Sequence, residues 1–171
     1  MGAYRLASSI FSRQNALIKD TRVKPFVFSR RAIVIRIEFE NQQAWEAICE
    51  LIHAPWPLPP QVPGPGATFY YANVGFLEDD EFRDLSKEDL RPRMPASYRL
   101  SFVFVVDREA VSNPEFPILI VDLHHQRGRG FRAIPSTIPS IECNLSLANM
   151  NFFEFSNAVD ADGVFRGFRK P

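Results

Sequence analysis

The chain has 171 residues, of which 46% are hydrophobic and 23% charged, and its formal net charge is zero. This composition excludes a disordered or fibrous polymer and predicts one globular domain with an ordinary core. Its two cysteines exclude a disulfide framework and a CxxC site, and no apolar run approaches the roughly 20 residues of a membrane helix, so we expect a soluble, cytoplasmic protein.

The N-terminal residues 1–31 are basic. They carry seven lysines and arginines against Asp20 alone, a charge of +6, so the remaining 140 residues must sum to −6. Leu6, Ile10 and Leu17 recur at near-helical spacing among arginines and serines, with almost no acidic residue nearby, a pattern typical of a mitochondrial presequence. The alternative is an arm or extension that folds back onto the acidic body or onto a second subunit. The sequence leaves both open.

A single domain is predicted over 32–171, beginning with a strand and a helix. The segment AIVIRIEF alternates from Ile33 onward, which predicts a strand with one buried and one exposed face. Asn41 is expected to cap a helix of about a dozen residues. Residues 54–66 then hold six of the fourteen prolines and predict a stiff, exposed insertion, which contains one PxxP match of the kind that SH3-type domains bind.

The middle of the chain predicts the body of the sheet. ATFYYANVGF, residues 67–76, is expected to form a second strand, and Ser86 to cap a short helix in the acidic segment that follows. RLSFVFVVD and PILIVDL are apolar on both faces, as central strands are when both sides of the sheet are covered. The short link between these two strands favours antiparallel pairing, which separates Asp107 from Asp122.

The closing part of the chain predicts a hairpin, a helix and an edge strand. HHQRGRG, residues 124–130, is expected to be a hairpin connection because its glycines supply turn geometry. Asn151 and Glu154 have capping-box spacing, which predicts a helix through about Val159. An Asp-Gly turn then leads to an edge strand over 164–168. The whole pattern is α+β, with a mixed, mainly antiparallel sheet of about five to six strands and a few helices packed on it.

Several short motifs stand out along the domain: Ile35 to Phe39 with Ala44 to Ala47, Tyr98 to Phe102, Pro117 to Leu123, Asn144 to Met150 (NLSLANM) and Asp162 to Phe168 (DGVFRGF). Together they resemble a family of domains of unknown function that is frequent in actinobacteria. The resemblance spans roughly residues 33–168, and NLSLANM is its most specific element. It implies the domain boundaries. It supplies no activity, cofactor or site residue.

Catalytic chemistry would centre on Asp122 and His124. These residues are two apart in an extended segment and so project from one face, where a carboxylate can orient an imidazole for acid-base work. The alternative is a polar strand end that meets solvent. His53 is the only other histidine besides His125, so a metal site is not predicted, and no cofactor motif is present.

An anion could be held at the hairpin by Arg127, Arg129 and Arg132, which flank two glycines with exposed amides. The alternative is three solvated arginines. Nucleic-acid binding is disfavoured because the body of the chain is acidic.

Two functions are therefore weighed. The first is a non-catalytic protein-interaction module that binds a protein partner or a second copy through the hairpin residues His124, His125, Arg127, Arg129 and Arg132 together with the Asn-rich block, residues 135–168, which contains four asparagines among apolar residues. The second is a small enzyme or ligand-binding protein in which the sixteen phenylalanines line a pocket with Asp122 and His124 at its polar end. Within the Asn-rich block, at least one of Asn144 and Asn149 is expected to be largely buried with a main-chain partner.

Overall fold

The computed structural model describes residues 31–57, 69–125 and 128–169. The predicted basic segment 1–31, except Arg31, and most of the predicted proline-rich insertion 54–66, including its PxxP match, lie outside the described residues. The described part is an α+β fold, as predicted, built on one six-stranded sheet.

The sheet is mixed. Strands β1 (Ala32–Arg36) and β4 (Val74–Leu77) are parallel, β1 and β5 (Phe102–Val106) are also parallel, and β5 is antiparallel to β6 (Ile118–Asp122). Beyond β6, β7 (Gly130–Ala133) is antiparallel. Edge strand β8 (Val164–Phe165) is parallel to β7, so three of the five pairings are parallel and the sheet is less antiparallel than predicted.

The predicted half-buried character of β1 is wrong, because all five of its residues are buried. Two layers cover the sheet. On one face the core contains Trp45, Phe104 and Phe155. On the other face Ile35, Leu90 and Val105 belong to a second core. Alternation along a strand reports exposure only when one face is open to water.

Helix α1 (Gln42–His53) forms as predicted, and Asn41 caps it by accepting a hydrogen bond from the amide of Ala44 at 3.0 Å. The predicted strand 67–76 is wrong in detail, because the structure divides it into β3 (Phe69–Tyr70) and β4. β3 pairs with β2 (Trp56–Pro57) in a separate two-stranded sheet.

Helix α2 (Lys87–Arg93) covers the second face of the sheet, and Ser86 caps it as predicted. The link between the two central strands contains a helix, α3 (Arg108–Ser112), that the sequence analysis does not predict. The central strands are antiparallel, as predicted. Phe102 therefore pairs with Asp122, and Asp107 lies at the opposite end of β5.

The closing block contains two helices, of which only the second is predicted. A 3-10 turn (Pro135–Thr137) leads into α4 (Ile138–Ser146), and α5 (Phe152–Ser156) follows. The capping box of Asn151 and Glu154 is present, although α5 ends at Ser156 rather than near Val159. The Asp-Gly turn forms, and edge strand β8 is shorter than the predicted 164–168.

Candidate functional site

The turn after β6 is organised by the carboxylate of Asp122. Asp122 is 2% exposed, and its Oδ1 accepts hydrogen bonds from the backbone amides of His124 at 2.8 Å and His125 at 2.9 Å. The Nδ1 atom of His125 lies 3.9 Å from the same oxygen, while both histidine side chains are exposed. The carboxylate that was expected to orient an imidazole therefore folds the turn and presents the two histidines to solvent.

The predicted arginine cluster is divided between the two faces of the sheet. Arg129 reaches α5, whereas Arg132 forms a bidentate pair with Asp107 at 3.1 and 2.7 Å, contacts Glu109 at 2.7 Å and donates to the carbonyl of Pro117. Arg127 lies outside the described residues. Because these contacts already neutralise Arg132, the two described arginines do not form one anion site.

Arg129 joins the hairpin to the closing block. Its guanidinium carbon lies 4.0 Å from the ring centroid of Phe153, and its Nη2 donates to Ser156 Oγ at 3.0 Å. Phe153 is 40% exposed, although it belongs to the short helix α5. Phe168 is 47% exposed and packs on the rings of Phe155 and Phe165. We call the surface formed by His124, His125, Arg129, Phe153 and Phe168 the hairpin–α5 surface.

Phe153 is a residue that the sequence analysis misses. Phe152 and Phe155 are three apart and both are buried, so the helical period turns Phe153 and Glu154, the two residues between them, outward. The capping box fixes that period, because it places Phe152 at the first position of α5. An exposed phenylalanine could therefore have been predicted from the cap.

The asparagines of the closing block have structural partners. Asn144 Nδ2 donates to the carbonyl of Ser140 at 2.9 Å, and the Asn144 carbonyl accepts from the amide of Asn149 at 3.0 Å. Asn144 is half-buried and Asn149 is exposed. The expected main-chain partner is thus present for Asn144, but neither residue is largely buried.

An open cleft lies between α2 and strands β5 to β7, and we call it the α2 cleft. Its volume is about 590 Å³. Apolar side chains of Ile37, Leu85, Leu90, Val105 and Leu119 line it, and its charged lining residues are Lys87, Glu88, Asp107, Glu109, Arg132 and Asp162. A smaller recess of about 250 Å³ adjoins it and adds Glu38, Asp84 and Arg108.

The phenylalanines do not build this cleft. Phe131 alone among them lines it, and Asp122 and His124 are not among its described lining residues. Most described phenylalanines instead belong to the core on the opposite face of the sheet, the face that contains Trp45 and Phe104. There Phe131, Phe155 and Phe165 contact one another. The α2 cleft therefore differs from the expected pocket, which had phenylalanine walls and Asp122 and His124 at its polar end.

An ion pair between a buried arginine and a partly exposed glutamate lies at the carboxyl ends of the parallel strands β1 and β4. Arg36 is 1% exposed, and its Nη1 donates to Glu78 at 2.6 Å and to Gln42 at 2.5 Å. Its guanidinium carbon lies 4.8 Å from the ring of Phe39 and 5.5 Å from that of Trp45. Nη2 has no hydrogen-bond partner among the described residues, and the two rings supply cation–π contacts instead.

A second buried carboxylate, Glu142 in α4, connects that helix to the segment around β3. It accepts hydrogen bonds from the hydroxyl of Tyr70, from the amide of Asn73 at 3.0 Å and from Ser146 Oγ at 2.8 Å. Burial, reinforced by the hydrogen bond to Glu142, raises the pKa of Tyr70, so the phenol remains a donor. These three donors satisfy the hydrogen-bonding capacity of the Glu142 carboxylate, which indicates a structural role for it.

In the described ranges, no group of three His, Cys, Asp or Glu side chains could hold a metal ion. No helix within those ranges is long and apolar enough to cross a bilayer.

Burial raises the pKa of the Cys49 thiol and lowers the pKa of His53, whose ring packs on Phe76.

Comparison with protein families places most of the chain in one of them. A family model described as a domain of unknown function (DUF6924) matches residues 31–168, well over half of the chain. Its limits agree with the extent of the resemblance found in the sequence. No curated protein matches the sequence.

Proposed function

We propose that this chain, which belongs to the DUF6924 family of domains of unknown function, is a non-catalytic protein-interaction module. Its partner is another protein or a second copy of the chain, and the contact is made by the hairpin–α5 surface. The observation that carries this proposal is the 4.0 Å contact of Arg129 with Phe153, a ring that is 40% exposed.

The residue types of this surface support the proposal. Aromatic and arginine side chains are enriched at protein interfaces, and they supply most of the residues whose truncation weakens binding strongly. Arg129 is held by Ser156 as well as by Phe153, so the guanidinium and the ring already have a defined arrangement. A pre-arranged pair loses less side-chain entropy when a partner covers it.

The geometry of Asp122 also supports a non-catalytic role. A carboxylate that serves as a general base must lie within hydrogen-bond reach of the group from which it takes a proton. Oδ1 of Asp122 instead accepts two backbone amides of its own turn. This arrangement favours a carboxylate that shapes the hairpin.

The size of the native particle tests the proposal. The full chain, carrying a fluorescent label, is followed by sedimentation velocity both as purified protein and in lysate of its own cells. We expect a species heavier than the 19.6 kDa monomer, and we expect Phe153→Ala to shift it toward the monomer. Leu51→Ala is the matched control, because Leu51 is 43% exposed on α1, outside the surface. A chain that sediments as a monomer under every condition overturns the proposal.

A further inference from the structure

The α2 cleft has the properties of a peptide-binding groove. Its floor is apolar, with Leu90 and Val105 fully buried and Ile37, Leu85 and Leu119 half-buried. Its rim is acidic, since the cleft and its adjoining recess have six acidic and three basic lining residues, a difference of three charges. A groove with an apolar floor and an acidic rim selects a segment that alternates apolar and basic side chains.

The chain contains such a segment. Residues 1–30 carry six apolar residues of the Leu, Ile and Val type together with six basic residues and one acidic residue. Arg5 precedes Leu6, and Arg13 lies between Ile10 and Leu17. We propose that the α2 cleft binds residues 1–30 of the same chain, a contact distinct from the hairpin–α5 surface.

Chain length permits this contact. The segment joins the domain at Arg31, directly before β1, and Ile37 at the other end of β1 lines the cleft. The five residues of β1 span roughly 17 Å at the usual rise of a strand. About six extended residues cover that distance, so residues 1–30 reach the cleft with most of their length still available to occupy it.

Zero-length carbodiimide crosslinking of the full chain tests the contact, because it joins a lysine amine to a carboxylate only when the two touch. Lys19 and Lys24 are the lysines of the segment. We expect mass spectrometry to find them joined to Glu109 or Asp162 at the cleft. In a mixture of ¹⁴N- and ¹⁵N-labelled chains, we expect these links to lie within one chain.

Charge reversal supplies the matched comparison. Glu88→Lys changes an exposed glutamate of α2 at the cleft, and Glu50→Lys changes an exposed glutamate of α1 on the other side of the sheet. Links to Glu109 and Asp162 should fall by about threefold or more in Glu88→Lys and stay unchanged in Glu50→Lys. In wild-type protein the same links should weaken as salt is raised to about 0.5 M, because rim charges are screened.

Each of the following results overturns the proposal. The first is a distribution of links over carboxylates on both sides of the sheet, including Glu46 and Glu50. The second is a set of links only between differently labelled chains, which would assign the cleft to a second copy. The third is equal loss in the two charge-reversal variants when circular dichroism shows both to be folded. The salt series on wild-type protein decides the matter if Glu88→Lys does not fold, since links to Glu109 and Asp162 that do not respond to salt also overturn it.

Discussion

The guanidinium of Arg129 lies 4.0 Å from the ring of Phe153 and joins two segments that are 24 residues apart in sequence. The hairpin after β6 and the short helix α5 therefore form one surface. The energy of this contact can be measured, because the two side chains can be substituted separately and together.

A double-mutant cycle should detect the Arg129–Phe153 contact in the free energy of unfolding. Arg129→Met removes the charge and keeps an unbranched, flexible side chain, and Phe153→Leu removes the ring. Since the pair is partly exposed, we expect a coupling energy of about 0.5 to 1 kcal/mol. Urea denaturation of the four proteins measures it, and strictly additive effects would show that the contact does not form in solution.

Glu78→Gln should destabilise the fold, because it leaves the cation of Arg36 buried without its charged partner. Arg36 is 1% exposed, and removal of one member of a buried ion pair costs about 3 to 5 kcal/mol. Glu78 is itself 37% exposed, so we expect the lower end of that range.

Glu81→Gln is the control for this prediction. Glu81 is also acidic and lies three residues away, but its contact with Arg93 is long, at 3.9 Å, and exposed. Its substitution should change the free energy of unfolding by less than about 1 kcal/mol. Equal effects of the two substitutions would contradict the buried role of the Arg36–Glu78 pair.

The burial of Arg36 could not be predicted from the sequence, because it depends on a segment distant in the chain. Strand position, helix caps and turns depend on local pattern, and Asn41, Ser86 and the Asn151 capping box are all found in their predicted roles. The alternation of AIVIRIEF predicts an exposed Arg36, yet Arg36 is buried and its partner Glu78 lies 42 residues away. Local alternation contains no information about a layer contributed by a distant segment.

The missed helix α4 has a local cause. Its sequence IPSIECNLS contains Pro139 and polar residues that disfavour a helix interior. Pro139 lies in the first turn, where its missing amide costs nothing. The divided arginine cluster has a different cause, since Arg129 lies just before β7 and Arg132 within it, and the strand period sends them to opposite faces.

Tyr70→Phe should weaken the attachment of β3 to α4. The substitution removes the hydroxyl donor to the buried carboxylate of Glu142 and leaves that carboxylate with two donors. A hydrogen bond to a charged group contributes about 1.5 to 3 kcal/mol, and we expect a loss of that order in urea unfolding.

Tyr71→Phe provides the comparison, because Tyr71 is the next residue and is 58% exposed. The free energy of unfolding of Tyr71→Phe should fall by no more than about 0.5 kcal/mol. If the two tyrosines proved equivalent, Glu142 would not be the anchor of this segment.

The stability of the C-terminal segment should depend on acidic pH through Arg166. Hydrogen bonds from Arg166 lower the pKa of Asp162 to about 2, and they also lower the pKa of Glu115. Carboxylates with a depressed folded-state pKa stabilise the fold above their unfolded values and lose that contribution as the pH falls through the folded values. The melting temperature should therefore drop between about pH 4 and about pH 2.

Arg166→Gln tests this dependence. The variant should melt below wild type at neutral pH, and the two melting curves should converge as the pH approaches about 2. Because these groups are exposed, added salt should reduce the difference at neutral pH. A difference between the two proteins that does not change with pH would contradict the assignment to these carboxylates.

Site-specific photo-crosslinking tests the central claim, that the hairpin–α5 surface binds a protein, most directly. A benzophenone amino acid is placed at Phe153 or, as the control, at Leu51 in the full chain, and the protein is irradiated in its own cells. We predict a product heavier than the chain, containing a partner protein or a second copy, from position 153 and not from position 51. No such product from position 153, or equal yields from both positions, would contradict the claim.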